Sequence, residues 1–72
     1  MKKLKFKCIK DPKEREDVVG KVMNVDDWKT TSVGWCNDAS SLAMQRNLRA
    51  LSGKDVIDYL TLVLKMEFEQ VN

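Results

Sequence analysis

The two ends of this chain carry the same alternation. Leu4, Phe6 and Cys8 alternate with Lys3, Lys5 and Lys7, and near the far end Leu64, Met66 and Phe68 alternate with Lys65, Glu67 and Glu69. Side chains on a strand point to opposite faces with period two. Each segment therefore reads as a half-buried strand, one with a basic outer face and one with a largely acidic one. Opposite charges on neighbouring strands attract. The pattern predicts strands over 3–10 and 65–71 that pair side by side, with Leu4, Phe6, Met66 and Phe68 meeting beneath the charges.

The residues between the two ends must supply the rest of a core. Asp11-Pro12 ends the first strand, because proline donates nothing to a ladder. Asp11, Pro12 and Glu14 have the form of a helix start, but Val18, Val19, Gly20, Val22 and Val25 come next, rich in β-branched residues. A turn over 12–16 and a strand over 17–25 are expected, with a helix there as the alternative. Two strands alone are marginal in water, whereas three on a helical layer are not.

Asp26 to Ser32 reads as a polar turn with Trp28 in its middle, and Val33 to Cys36 as a short apolar island. Asn37 or Asp38 can cap a helix after it, in which Leu42, Leu48 and Leu51 lie near one face. Ser52-Gly53 breaks that run. Ser52 with Asp55 three residues on is a variant of the capping box, and Val56, Ile57, Leu60, Val63 and Leu64 recur at helical spacing. The expected fold is α+β: a small three-stranded sheet (3–10, 17–25 and 65–71) packed on two helices (about 38–51 and 54–64), one small domain over 1–72.

Composition narrows the function classes. Apolar residues are 43% of the chain, enough for a folded core, and a net charge of +2 is modest for a protein dominated by phosphate contacts. The charge is uneven: the first ten residues hold five lysines and no acid, while Asp11 to Asp27 holds six acids against three basic residues. Such a surface steers encounters with charged partners, although a solvated strand face explains it as well. No stretch approaches the length of a membrane helix, and no signal-peptide pattern accompanies the N-terminal lysines. Two cysteines are too few for a disulfide scaffold. A cytoplasmic protein with no membrane partner is expected, with Cys8 a buried thiol.

Histidine is absent, which removes the commonest general base and the commonest metal ligand. No ligand spacing of the zinc type occurs, and no glycine-rich phosphate loop. Cys36, placed by this reading just before a helix N-terminus, has an argument for a lowered pKa but no base to activate it. No cofactor, metal or catalytic residue is expected, and an enzyme is not the reading.

Binding is the better reading. Trp28 and Lys29 in a polar turn are candidates for partner contact, tryptophan being enriched at interface hot spots; Trp35 is expected in the core. Arg46 and Arg49, three apart, share a helix face. The first hypothesis is a small non-enzymatic protein that binds and regulates another protein, as short phage or mobile-element chains modulate host proteins. The second is a nucleic-acid-binding module using the basic face of Lys3, Lys5 and Lys7 together with Arg46 and Arg49. The third is a homo-oligomer joined through an exposed strand edge.

Overall fold

The computed structural model describes residues 4–37 and 41–71. Lys3 of the basic face and Asp38, a candidate cap, lie outside the described residues. The order is β1 (Lys5–Lys10), β2 (Val22–Asn24), α1 (Val25–Trp35), α2 (Leu42–Ala50), α3 (Lys54–Val63) and β3 (Glu67–Val71). The sheet is antiparallel with order β2-β1-β3, so the two ends of the chain do pair. Lys7 stands opposite Glu69 and Cys8 opposite Phe68, with an irregularity between Cys8 and Lys10. Lys5 faces Val71 and not a carboxylate.

Period two holds on the inner side of β1. Phe6 and Cys8 are buried while Lys5 and Lys7 are exposed. Leu4 departs from it, at 38% exposed. It precedes the strand, and its carbonyl accepts from the Val25 N–H where α1 begins. Met66 is buried and Phe68 half-buried, as the inner face requires.

The middle of the chain differs from expectation. The strand expected over 17–25 shrinks to Val22–Asn24, and the segment before it is a chain of turns. Gly20, at φ 88°, lets the chain double back, and its N–H donates to the Cys8 carbonyl at 2.8 Å. Only glycine adopts that backbone without penalty. Val18 is buried from a turn, not from a strand.

The larger correction is α1, a third helix over the segment expected to form a turn and an island. Its start is well specified. Asn24 accepts from the Asp27 N–H at 2.8 Å, and Asp26 and Asp27 occupy the first turn. A side-chain cap and first-turn acids both favour a helix N-terminus. Threonine, serine and glycine lower the helix propensity of the residues from Thr30 to Gly34. Burial of Val25, Trp28 and Ser32 on one side outweighs it.

Trp28 therefore lies at the centre of the core, fully buried. Its indole N–H donates to the Phe6 carbonyl at 2.9 Å, and its ring meets Phe68 edge-on at 5.1 Å. Around it pack Leu48 from α2, Val56, Ile57 and Leu60 from α3, and Met66. The α3 cap also moves by one residue: Gly53, at φ 59°, takes the place expected for Ser52. Lys65, expected as an outward strand residue, takes the left-handed conformation at φ 59° between α3 and β3.

Candidate functional site

The helices pack on the Phe6 and Cys8 side of the sheet. The other side carries Lys5 and Lys7 with the residues paired to them: Asn24, Val22, Val71 and Glu69. Among the described residues no helix covers this face. Three aliphatic side chains are exposed on this face or in the turn beside it. Val22, opposite Lys7, is 48% exposed; Ile9, beside the strand irregularity, is 49% exposed; Val19 is 45% exposed. Ile9 and Val19 line an open groove of about 400 Å³, together with Lys10, Pro12, Glu14 and Glu16.

Asp11 and Arg15 form the floor of that groove. Asp11 is buried at the turn after β1, where its carboxylate accepts from the Lys13 N–H at 3.0 Å and from the Arg15 guanidinium at 2.8 and 3.1 Å. The guanidinium also lies 4.1 Å from the centre of the Trp35 ring, a cation–π contact. Burial by itself pushes the Asp11 carboxyl up; the Lys13 N–H and the hydrogen bonds and charge of Arg15 outweigh it and hold the carboxyl below its ordinary value. The Asp11 carboxylate and the Arg15 guanidinium are held by each other and by the turn's backbone. This corner ties the turn segment to the end of α1.

The sequence-based site residues are dispersed. Trp28 is wholly inside, so it presents no surface to a partner. Lys29 donates to the Leu51 carbonyl at 2.7 Å, fastening α1 to the end of α2. Arg46 and Arg49 are exposed on α2, which packs mainly against α1. Lys5 and Lys7 project from the opposite side of the sheet. Lys7 has Glu69 beside it in the ladder, and Lys10 lies 3.9 Å from Glu67. The acidic strand thus offsets part of the basic face.

Cys36 is corrected as well. It caps the carboxyl end of α1, buried, with its thiol donating to the Ser32 carbonyl at 3.4 Å. The argument for an activated thiol ahead of a helix falls away. Cys8 is buried as expected; burial first, and then the Asp11 carboxylate, push its thiol pKa up. Among the described residues no group of three or more histidine, cysteine, aspartate or glutamate side chains is placed to hold a metal ion. No described helix is long and apolar enough to cross a membrane.

The exposure of Ile9, Val19 and Val22 together is not foreseen from the sequence, which assigns the valines to a strand over 17–25. The Asp11–Arg15 pair has a signal in plain view, an acid four residues before an arginine. In comparisons with known proteins, no family model, no curated protein and no solved structure matches the chain.

Proposed function

We propose that this chain is a small non-enzymatic protein-binding module whose contact surface is the uncovered face of the sheet. The observation that carries the reading is the open groove that Ile9 and Val19, both nearly half exposed, line with Lys10, Glu14 and Glu16, with the exposed Val22 on the neighbouring strand. Contiguous exposed aliphatic surface rimmed by charge is what protein contacts use, whereas scattered single residues are ordinary. Lys5, Lys7 and Lys10 supply the rim. Regulation of a host protein, as short phage or mobile-element chains perform it, is one form of this function. Placement in the cytoplasm belongs to the same reading, supported by two buried cysteines outside any disulfide.

The nucleic-acid reading draws on the exposed Arg46 and Arg49. It is the weaker one, because those arginines and the lysines of β1 lie on different sides of the sheet and Glu67 and Glu69 sit among the lysines. Phosphate binding calls for a continuous basic patch.

The test is affinity capture from lysate of the native host, with and without nuclease, using the wild type and the double variant Ile9→Asp, Val22→Asp. Both positions are exposed, so the variant should keep its thermal transition. A protein captured by the wild type in the presence of nuclease and lost by the variant supports the reading. Capture that nuclease abolishes points to nucleic acid, and equal capture by wild type and variant moves the contact off this face.

A further inference from the structure

The two helices that close the far side of the molecule carry stripes that match each other. On α2, Leu42, Arg46 and Arg49 are all exposed, with Leu42 at 46%. Steps of four and three residues place them on one face of the helix. On α3, Asp55, Asp58 and Leu62 are all exposed, with Leu62 at 70%. Their steps are three and four, the reverse order. Both stripes are exposed, while α2 meets the core through Leu48 and α3 through Val56, Ile57 and Leu60; Asp58 also borders a groove shared with Phe68 and Gln70 of β3.

We infer that this face binds a second copy of the chain, α2 of one copy lying antiparallel against α3 of the other. In that arrangement Leu42 meets Leu62, Arg46 meets Asp58 and Arg49 meets Asp55. The successive rises, about 6 and about 4.5 Å along each helix, agree at every step. A parallel arrangement sets leucine against charge and loses the match. The occupant is set by this complementarity: a surface with arginines on one helix and aspartates on its neighbour fits itself.

Two further observations favour a partner. Arg46 with Arg49, and Asp55 with Asp58, are like charges three residues apart, an arrangement that weakens an isolated helix. Among the described residues none of the four forms an ion pair within 4.0 Å. Arg49 and Asp55 suit the ends of their own helices, but Arg46 and Asp58 lie inside theirs and have no such reason. Each helix packs on α1, and the two are linked to each other by the Asn47 amide donating to the Tyr59 hydroxyl at 3.2 Å. A two-fold axis would then repeat the α2–α3 contact and satisfy both stripes of both copies. The sheet edge is the poorer site for self-association, because an antiparallel β3 pair brings Glu67 and Glu69 of two copies together.

The contact is small, so the association is weak, with a Kd on the order of 0.1 to 1 mM. Sedimentation equilibrium from about 10 µM to about 2 mM spans it. The wild type is expected to approach twice the monomer mass, and less so as salt rises from about 0.05 to about 0.5 M. The variant Arg46→Asp, Arg49→Asp and the variant Asp55→Arg, Asp58→Arg should each stay monomeric. An equimolar mixture of the two should associate again, since each then offers the helix the other lacks. All four positions are exposed, and a retained thermal transition verifies folding of each variant. A wild type that stays monomeric throughout, or variants that associate as well alone as in the mixture, would overturn the inference. This face is separate from the open sheet face, so Ile9→Asp, Val22→Asp leaves the self-association intact.

Discussion

The β1–β3 ladder and the segment from Asp11 to Trp35 hold the molecule by different means. The ladder rests on alternation: Phe6, Cys8 and Phe68 on one face and Lys5, Lys7 and Glu69 on the other, within five register pairs. Any residue of the right polarity fits most of its positions. The middle segment rests on single contacts that one residue each can make, namely the Asp11 carboxylate, the glycine conformation at Gly20, the Asn24 cap and the Trp28 indole. Periodic structure degrades gradually on substitution, and point contacts fail singly. Substitutions in the middle segment should therefore cost more than those on the outer face of the ladder.

The largest effect is expected at Trp28. Trp28→Ala removes the centre of the core and should cost about 3 to 5 kcal/mol, enough to abolish the thermal transition of a domain this small. Trp28→Phe keeps much of the volume but leaves the Phe6 carbonyl without its indole donor, and should cost less, about 1 to 3 kcal/mol. Urea denaturation monitored by far-UV circular dichroism measures both. A mild Trp28→Ala would mean that the middle segment is as tolerant as the ladder.

That expectation differs from the one drawn from sequence, which places Trp28 in a polar turn as a candidate for partner contact. The difference shows which features are legible. Alternation at both ends is a pattern in polarity, and it survives in a bare sequence. So does the 3.6 spacing of Val56, Ile57 and Leu60. The spacing of Val25, Trp28, Ser32 and Trp35 is also helical, but threonine, serine and glycine mask it, since their propensities argue for a turn. The deciding factor is tertiary: α1 has Phe6, Leu48 and Phe68 to pack against, and no local rule contains that information. The exposure of Val22 is hidden for the same reason, because whether it is covered depends on which face of the sheet the helices choose.

The next effect is at the Asp11 corner. Arg15→Ala leaves a buried carboxylate with backbone donors only and should cost about 2 to 3 kcal/mol. Asp11→Asn should cost somewhat less, since an amide can keep the Lys13 contact. The folded state holds the Asp11 carboxyl below its unfolded value, so its contribution is present above the ordinary carboxylate range and is lost as pH falls through and below that range. Stability of the wild type measured from neutral to strongly acid pH should show this loss, and Asp11→Asn should flatten it. An unchanged acid limb in the variant would show that Asp11 is not the titrating group.

On the outer face of the ladder the effects should be small and coupled. Lys7 faces Glu69, and Lys10 lies near Glu67. Glu67→Lys with Glu69→Lys should cost about 0.2 to 1 kcal/mol per pair. Adding Lys7→Glu and Lys10→Glu should recover part of it. Lys5→Glu should recover none, because Lys5 faces Val71. A double-mutant cycle in urea measures the coupling, and strictly additive costs would mean that alternation here reports burial alone.

The smallest effect tests the junction where the pattern changes from helical to alternating. Alternation alone makes Lys65 the first outward residue of the last strand, but its φ of 59° places it in the left-handed region. A side chain there costs about 1 to 2 kcal/mol relative to glycine. Glycine in turn loses more freedom on folding, by about 0.5 to 1 kcal/mol. The two nearly cancel, and Lys65→Gly should stabilise the fold by about 0.5 kcal/mol. The Met66 N–H, which donates to the Leu60 carbonyl at 3.4 Å, keeps its partner in either case. Lys65→Val, with the same backbone need and a β-branched side chain, should destabilise instead. If valine is tolerated as well as glycine, Lys65 lies in an ordinary extended strand, and alternation governs the end of the chain from Leu64 onward.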